Sequence, residues 1–273
     1  MQKQIVNILI PIYKEELSQE EYTSLRQCIS VLSGYPITLV CPESLKLDVY
    51  FAEYSDFKVE TFQDDFFKSL DGYNKLLMSK QFYHRFLNFR YILIYQLDAY
   101  VFRDELEYWC NLNFDYIGAP WFANTRIPIQ DQKLYGVGNG GLSLRKVQSH
   151  YNALNFYWVH FFLKSLYESY TQYLESNLNQ FSRIKLLIAS YLTRVFFIKK
   201  SKYLITILSE DQYFCLVVPK INLNFKLAPL EVGIKFSFEE NPDLMFKMNN
   251  NELPFGCHAW ARYNKEFWSQ FIS

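Results

Sequence analysis

A chain of 273 residues, 50% hydrophobic and 19% aromatic, is long enough for one large domain or two small ones with a sizeable core. Lys and Arg total 28 and so do Asp and Glu, so no global field recruits nucleic acid, and an anionic ligand has to be met by local groups. Cys28, Cys41, Cys110, Cys215 and Cys257 are scattered with no CxxC pair, which argues against a disulfide framework or a structural zinc site and suits a reducing cytosol.

The first apolar run, Ile5 to Ile12, is too short for a signal peptide and reads as a strand closing on Pro11-Ile12-Tyr13. Glu20 to Leu32 carries Tyr22, Leu25, Ile29 and Leu32 at helical spacing, with Gly34 just past the end as a stop. Pro36 to Val40 and Phe57 to Phe62 read as the next two strands, and Gly72 to Phe86 as a helix. Tyr91 to Tyr95 then reads as a strand buried on both faces, delivering Gln96, Asp98 and Tyr100 at its end. Strand, helix, strand, strand, helix, strand predicts a mainly parallel α/β sheet flanked by helices.

Asp104 to Trp109 reads as a short helix, and Phe114 to Trp121 as a strand bent at Gly118 and Pro120. A polar loop over 122–135 leads to Gly138-Asn139-Gly140-Gly141, which runs into a strand over Leu142 to Leu144. Residues 151–207 are aromatic, Leu-rich and free of glycine and proline, which predicts a helical insertion within a single domain over 1–273. Basic residues gather at 183–202 around the apolar run Leu186 to Ile198. They belong either to an insertion packed on the sheet or to an amphipathic surface resting on an anionic membrane. No segment has the roughly twenty uninterrupted apolar residues of a membrane span. Phe236 to Glu239 reads as a strand and Pro254 to Trp260 as a loop.

Four loops carry residues with chemistry. Asp98 falls at a strand end, where ligands collect in open α/β sheets; it either opens a turn or holds a metal, a hydroxyl or a cation. The glycines at 138, 140 and 141 either make a tight turn or let backbone N–H groups approach a ligand. They form neither a GxxxxGK[ST] phosphate loop nor a dinucleotide fingerprint. Glu210 and Asp211 behind Ser209 either begin a helix or supply a general base. His258 is either structural or, beside Asp98, part of an oxygen-and-nitrogen metal site.

The blocks Tyr91 to Phe102, Asp115-Tyr-Ile-Gly-Ala-Pro-Trp121, Gly138 to Arg145, Glu210-Asp211 and Pro254 to His258 resemble a little-characterised glycosyltransferase-like family with a GT-A type fold. The resemblance runs from about Tyr73 to Trp260, outside the insertion. It implies transfer of a sugar from a nucleotide-sugar donor to a glycan or lipid-linked acceptor in surface polysaccharide synthesis, by a cytoplasmic protein at the inner face of a membrane. By the same resemblance, the donor would meet Pro11, Tyr13, Lys75, Gln96, Asp98, Tyr100, Asn139, Gly140 and Gly141. Mg²⁺ or Mn²⁺ would bind Asp98 and His258, with Lys75 or Arg145 able to take over the charge in a metal-independent member. Asp211, with Glu210 beside it, would be the general base of an inverting transfer, and Trp121 and Trp260 would stack on acceptor sugars. The family's Asp-x-Asp is reduced here to Gln96-Leu97-Asp98 or Asp98-Ala99-Tyr100, which keeps open a carbohydrate-binding or scaffold protein without turnover.

Overall fold

A computed structural model of the chain describes residues 4–122, 134–156 and 209–272. The first strand, β1 (Gln4–Pro11), is followed by helix α1 (Gln19–Leu32). Ser18 caps α1 through a reciprocal bond pair with Glu21, so the helix start is fixed by sequence chemistry alone. Strands β2 (Ile37–Pro42) and β3 (Lys58–Phe62) enclose a short helix, α2 (Asp48–Glu53), that the sequence reading missed. The expected helix over 72–86 is two helices, α3 (Leu70–Leu77) and α4 (Lys80–Arg85). Ser69 and Ser79 accept bonds from Gly72 and Phe82 backbone nitrogens, so a second cap inside the apolar pattern starts a new helix.

Strand β4 (Phe89–Tyr95) lies at the centre, and a brief β5 (Tyr100–Val101) follows it. Helix α5 (Leu106–Asn111) precedes strands β6 (Tyr116–Gly118), β7 (Pro120–Phe122), β8 (Leu134–Val137) and β9 (Leu142–Lys146). After α6 (Val147–Ala153) the described chain resumes at Ser209, so most of the expected insertion over 151–207, with its basic stretch at 183–202, lies outside the described residues. Strands β10 (Ser237–Phe238) and β11 (Gly256–Cys257) come last.

Among the described residues the main sheet runs β3-β2-β1-β4-β9-β6. The first four strands are parallel, and β9 and β6 join antiparallel. β4 is buried on both faces as its composition demands. Leu93 and Tyr95 pack with Ile8 and Ile10 on the α1 side, while Ile92 and Ile94 pack with Leu9, Phe82 and Val147 on the other. A small sheet, β10-β11-β5, covers a third cluster that includes Tyr100, Trp260 and Trp268. All five cysteines are buried and free. No helix among the described residues is long and apolar enough to cross a membrane.

Leu93 is fully buried at the middle of the central strand. Leu93→Ala should lower unfolding free energy by about 2–5 kcal/mol, read as a shift of the urea midpoint with little change in slope.

Candidate active site

The site forms where two sheets hand the chain over. β4 ends at Tyr95, and Gln96 donates its backbone N–H to the Gly141 carbonyl at 2.9 Å, so the segment bearing Asp98 is tied to the glycine segment before β9. Ala99 donates back to the Gln96 carbonyl at 2.8 Å, closing a tight turn. β5 then pairs antiparallel with β11, Tyr100 opposite Cys257, while β11 pairs parallel with β10, Cys257 opposite Phe238. These registers put Asp98, His258 and Glu239 side by side at three neighbouring strand ends.

His258 is the centre of that group. Its Nε2 lies 3.1 Å from Asp98 Oδ1 and 3.1 Å from Gln96 Oε1, and its Nδ1 lies 3.1 Å from Glu239 Oε2. Burial alone would strip the proton from the ring, but the two carboxylates outweigh it and push its pKa up to about 10. Burial likewise opposes the Asp98 carboxylate, and the hydrogen bond from His258 more than offsets this, holding its pKa below the usual range. Asp98 keeps half its side chain open to solvent, whereas His258 and Glu239 are mostly covered.

Gly141 is what lets the ring sit there: a Cβ at that position would lie 1.9 Å from His258 Nε2. Gly140 makes room in the same way for the Glu210 carboxylate, and Gly138 for the Trp121 ring. The glycines therefore make room for side chains of this chain, which accounts for them without a ligand. Its left-handed residue is Asn139, with φ at 51°, and the Asn139 side chain accepts the Trp121 indole N–H at 2.8 Å.

Glu210 also departs from expectation. Arg145 is fully buried, and its guanidinium meets both Glu210 oxygens at 2.8 Å. Burial raises the Glu210 pKa and opposes the Arg145 charge, but Glu210 holds the Arg145 pKa well above its ordinary value, and the two parallel bonds pair the groups directly. Asn74 accepts the Glu210 backbone N–H at 3.1 Å. Both side chains are thereby committed to holding a short helix, Glu210–Gln212, against β9 and α3, and neither is available as base or phosphate ligand. Asp211 beside it is half-buried and accepts the Gln212 N–H through Oδ1 at 2.8 Å. Ser209 occupies the cap position without a side-chain bond.

A cleft of about 460 Å³ opens at the carboxyl ends of β1 and β4. Pro11 and Tyr13 form one wall, Phe67 to Leu70 with Tyr73 the other, and Gln96 to Asp98 the floor. Tyr13 is 63% exposed at its mouth. Three expected residues lie elsewhere. Lys75 sits on the solvent side of α3, its Nζ 2.6 Å from Asp71, because i and i+4 share a helix face. Tyr100 is buried against Phe102 in the third core cluster. Trp260 is buried there too and donates its indole N–H to Ser24 at 3.0 Å, leaving no face for a sugar. Trp121 remains partly exposed. Asp115 from the same motif is structural, taking bonds from the Ser149 hydroxyl and the Lys226 backbone. The sequence reading gave no role to Tyr73, whose hydroxyl accepts from the Gln96 amide at 3.4 Å, and placed Glu239 at a strand end. Glu239's role depends on the β10–β11 pairing, which no local pattern reveals.

Residues 56–258 match the family described as "Protein of unknown function (DUF5672)". The chain belongs to this family. None of the curated proteins matches the sequence. Among solved structures, mouse xyloside xylosyltransferase 1 in its apo form aligns with a TM-score of 0.50 at 11% identity, covering 93% of this chain and 97% of that one. A glycosyltransferase involved in glycosylation of the major capsid of PBCV-1 aligns with a TM-score of 0.46 at 10% identity, over 97% of this chain and 98% of that one. S. aureus TarS aligns with a TM-score of 0.37 at 12% identity; the match takes in 55% of this chain and 30% of TarS. The family member described here thus has an α/β fold of the GT-A type, with a mostly parallel central sheet flanked by helices.

The buried pair gives a direct test of which acid is structural. Glu210→Ala should cost about 3–5 kcal/mol of unfolding free energy, because it strands the buried Arg145 charge. Asp211→Ala should cost less than about 1 kcal/mol. Parallel denaturant titrations of the two variants would show the difference.

Proposed function

We propose that the chain is a glycosyltransferase that moves a sugar from a nucleotide-sugar donor to a glycan or lipid-linked acceptor. The observation that carries this reading is the cleft between β1 and β4, with Tyr13 exposed at its mouth and Gln96 and Asp98, the two contacts of His258 Nε2, among its lining. An aromatic base suits the Pro11–Tyr13 wall, and a diphosphate suits the floor if positive charge is supplied there. Among the described residues no three His, Cys, Asp or Glu side chains gather to hold a metal ion. The amide of Gln96 completes a mixed set, however. Asp98, Gln96 and His258 would hold such an ion only in competition with the proton that the two carboxylates keep on the ring. The hard oxygen and imidazole donors suit Mg²⁺ or Mn²⁺. Such an ion, when bound, supplies positive charge against the diphosphate as it leaves.

Asp211 takes the proton of the acceptor hydroxyl in this reading. The hydroxyl oxygen bonds to the anomeric carbon as that carbon's bond to the diphosphate oxygen breaks, and the nucleoside diphosphate departs. Attack opposite the leaving group inverts the anomeric centre. The locked Glu210–Arg145 pair keeps Asp211 from shifting relative to the sheet. Trp121, on the β7–β8 ribbon, is the remaining aromatic for an acceptor sugar. The basic stretch at 183–202 extends the proposal to a peripheral contact with an anionic membrane.

Two variants test the division of labour. A nucleotide sugar at a hundred times its Kd should stabilise the wild type by about 2.7 kcal/mol, so a thermal-shift panel identifies the donor. Asp98→Asn should weaken donor binding by calorimetry. Asp211→Asn should keep donor binding within about twofold while transfer falls by about 10²–10⁴-fold. Donor binding with no transfer or hydrolysis in the wild type would instead favour a protein that kept the fold and lost turnover.

A further inference from the structure

We propose that Arg262 binds phosphate oxygens of a nucleoside diphosphate held in the cleft, through its forked guanidinium. The inference rests on the reading of the cleft as a donor site. It deepens that reading by naming the side chain that meets the diphosphate charge, and it needs no metal ion.

A diphosphate at the floor of the cleft lies beside the Asp98 carboxylate, so it is held only where positive charge stands close by. Lys75 and Arg145 are bonded to Asp71 and Glu210. Lys14 and Lys68, which line the walls, are paired with Glu21 at 2.7 Å and Asp65 at 2.6 Å. Every other arginine among the described residues also has an acceptor for its guanidinium. Arg262 has none among those residues; its guanidinium lies 5.2 Å from the centre of the Tyr263 ring.

The turn after His258 puts that free charge beside the site. Trp260 donates its backbone N–H to the Asp98 carbonyl at 3.4 Å, and its buried indole is bonded to Ser24. Ala259 is left-handed, with φ at 51°, and its carbonyl accepts the backbone N–H of Arg262 at 2.9 Å and of Tyr263 at 3.0 Å. The turn is thereby fixed against the segment that carries Asp98, and Arg262 stands on it exposed to solvent. Its charge reaches the neighbouring acids. Burial works against the Asp98 carboxylate and His258 favours it, with Arg262 adding to the same effect through space. Burial and Glu239 raise the Glu240 pKa, and Arg262 opposes them.

A guanidinium keeps its charge at any ordinary pH and presents planar N–H donors that match two oxygens of one phosphate. Charge-assisted pairs of this forked kind are among the stronger hydrogen-bonded contacts. A phosphate meeting Arg262 breaks no bond inside the protein, whereas recruiting Lys14 or Lys68 first breaks an ion pair.

The test is calorimetric titration of the full chain with UDP, GDP, CDP and ADP, in EDTA and again with Mg²⁺, at low and high salt. Wild type, Arg262→Gln and Arg262→Lys are compared. Arg262→Gln should bind the preferred diphosphate about 10–100-fold more weakly, and its affinity should fall less steeply with salt. Arg262→Lys keeps the charge without the fork and should lie between the two. Wild-type affinity in Arg262→Gln overturns the inference and leaves the donor reading standing. Weaker binding with an unchanged salt dependence does the same, because it marks a lost structural support rather than a lost phosphate contact. If Arg262→Gln fails to fold, Arg262→Lys carries the test alone: a few-fold loss supports the role, and wild-type affinity overturns it. A wild type that binds none of these diphosphates in either buffer overturns the inference and the donor reading together.

Discussion

The fold turns on the four residues between Tyr95 and Tyr100, where the chain must leave the main sheet and join the small one. The constraint is enforced by a single buried hydroxyl. Tyr95 is fully covered, and its O–H lies 2.9 Å from both the Ser24 and Ala99 carbonyls, so α1 and the exit turn are tied to the same point. Burial pushes the Tyr95 hydroxyl well above its ordinary pKa, which keeps it a donor. With the turn pinned, Gln96 and Asp98 project into the crevice and β5 starts in register with β11. His258 arrives at the crevice through that register, and Glu239 through the next one.

Two buried charge arrangements lie one glycine apart, and they differ in kind. Arg145 and Glu210 satisfy each other through two parallel bonds, with Arg145 also 5.4 Å over the Tyr116 ring; that arrangement is closed. Around His258 there are two carboxylates and one amide oxygen for a single ring, and one of those carboxylates is half exposed. The excess of negative groups is what raises the ring's pKa to about 10. A closed pair holds structure, whereas an open cluster with surplus negative charge demands a cation from outside, and a proton is the smallest one that answers. The second cluster is therefore the one that reaches the cleft, through Gln96 and Asp98.

Much of this was legible in the residues. The buried central strand, the existence of the first four strands along the chain and the placement of Asp98 at a strand end follow from runs of apolar and β-branched residues, which report local burial directly. The break between α3 and α4 was visible only as Ser79, a single cap within an otherwise continuous helical pattern. The glycine segment was legible as unusual but not in its cause. Glycine signals that something comes close, and sequence does not say whether a ligand or a side chain does. Here the neighbours are Trp121, Glu210 and His258. Tyr100 and Trp260 misled for a related reason: an aromatic residue at a loop is equally suited to a sugar or to a core, and the third cluster claims both.

The pair Glu210-Asp211 shows how adjacent acids come to hold different tasks. In a helix start, successive side chains point about 100° apart, so both cannot face the same neighbour. Glu210 faces inward, where Arg145 meets it from β9 and Asn74 takes its backbone N–H from α3. This anchors the first residue of the helix to two elements that also border the site. Beyond it the chain widens into a π turn over Tyr213–Val217. Pro219 is the local reason, since its ring would collide with the carbonyl four residues back in a regular helix. The segment is thus fixed firmly at its beginning and relaxed only afterwards. Asp211 stands directly on the fixed part, so its carboxylate leaves the chain beside the anchored Glu210.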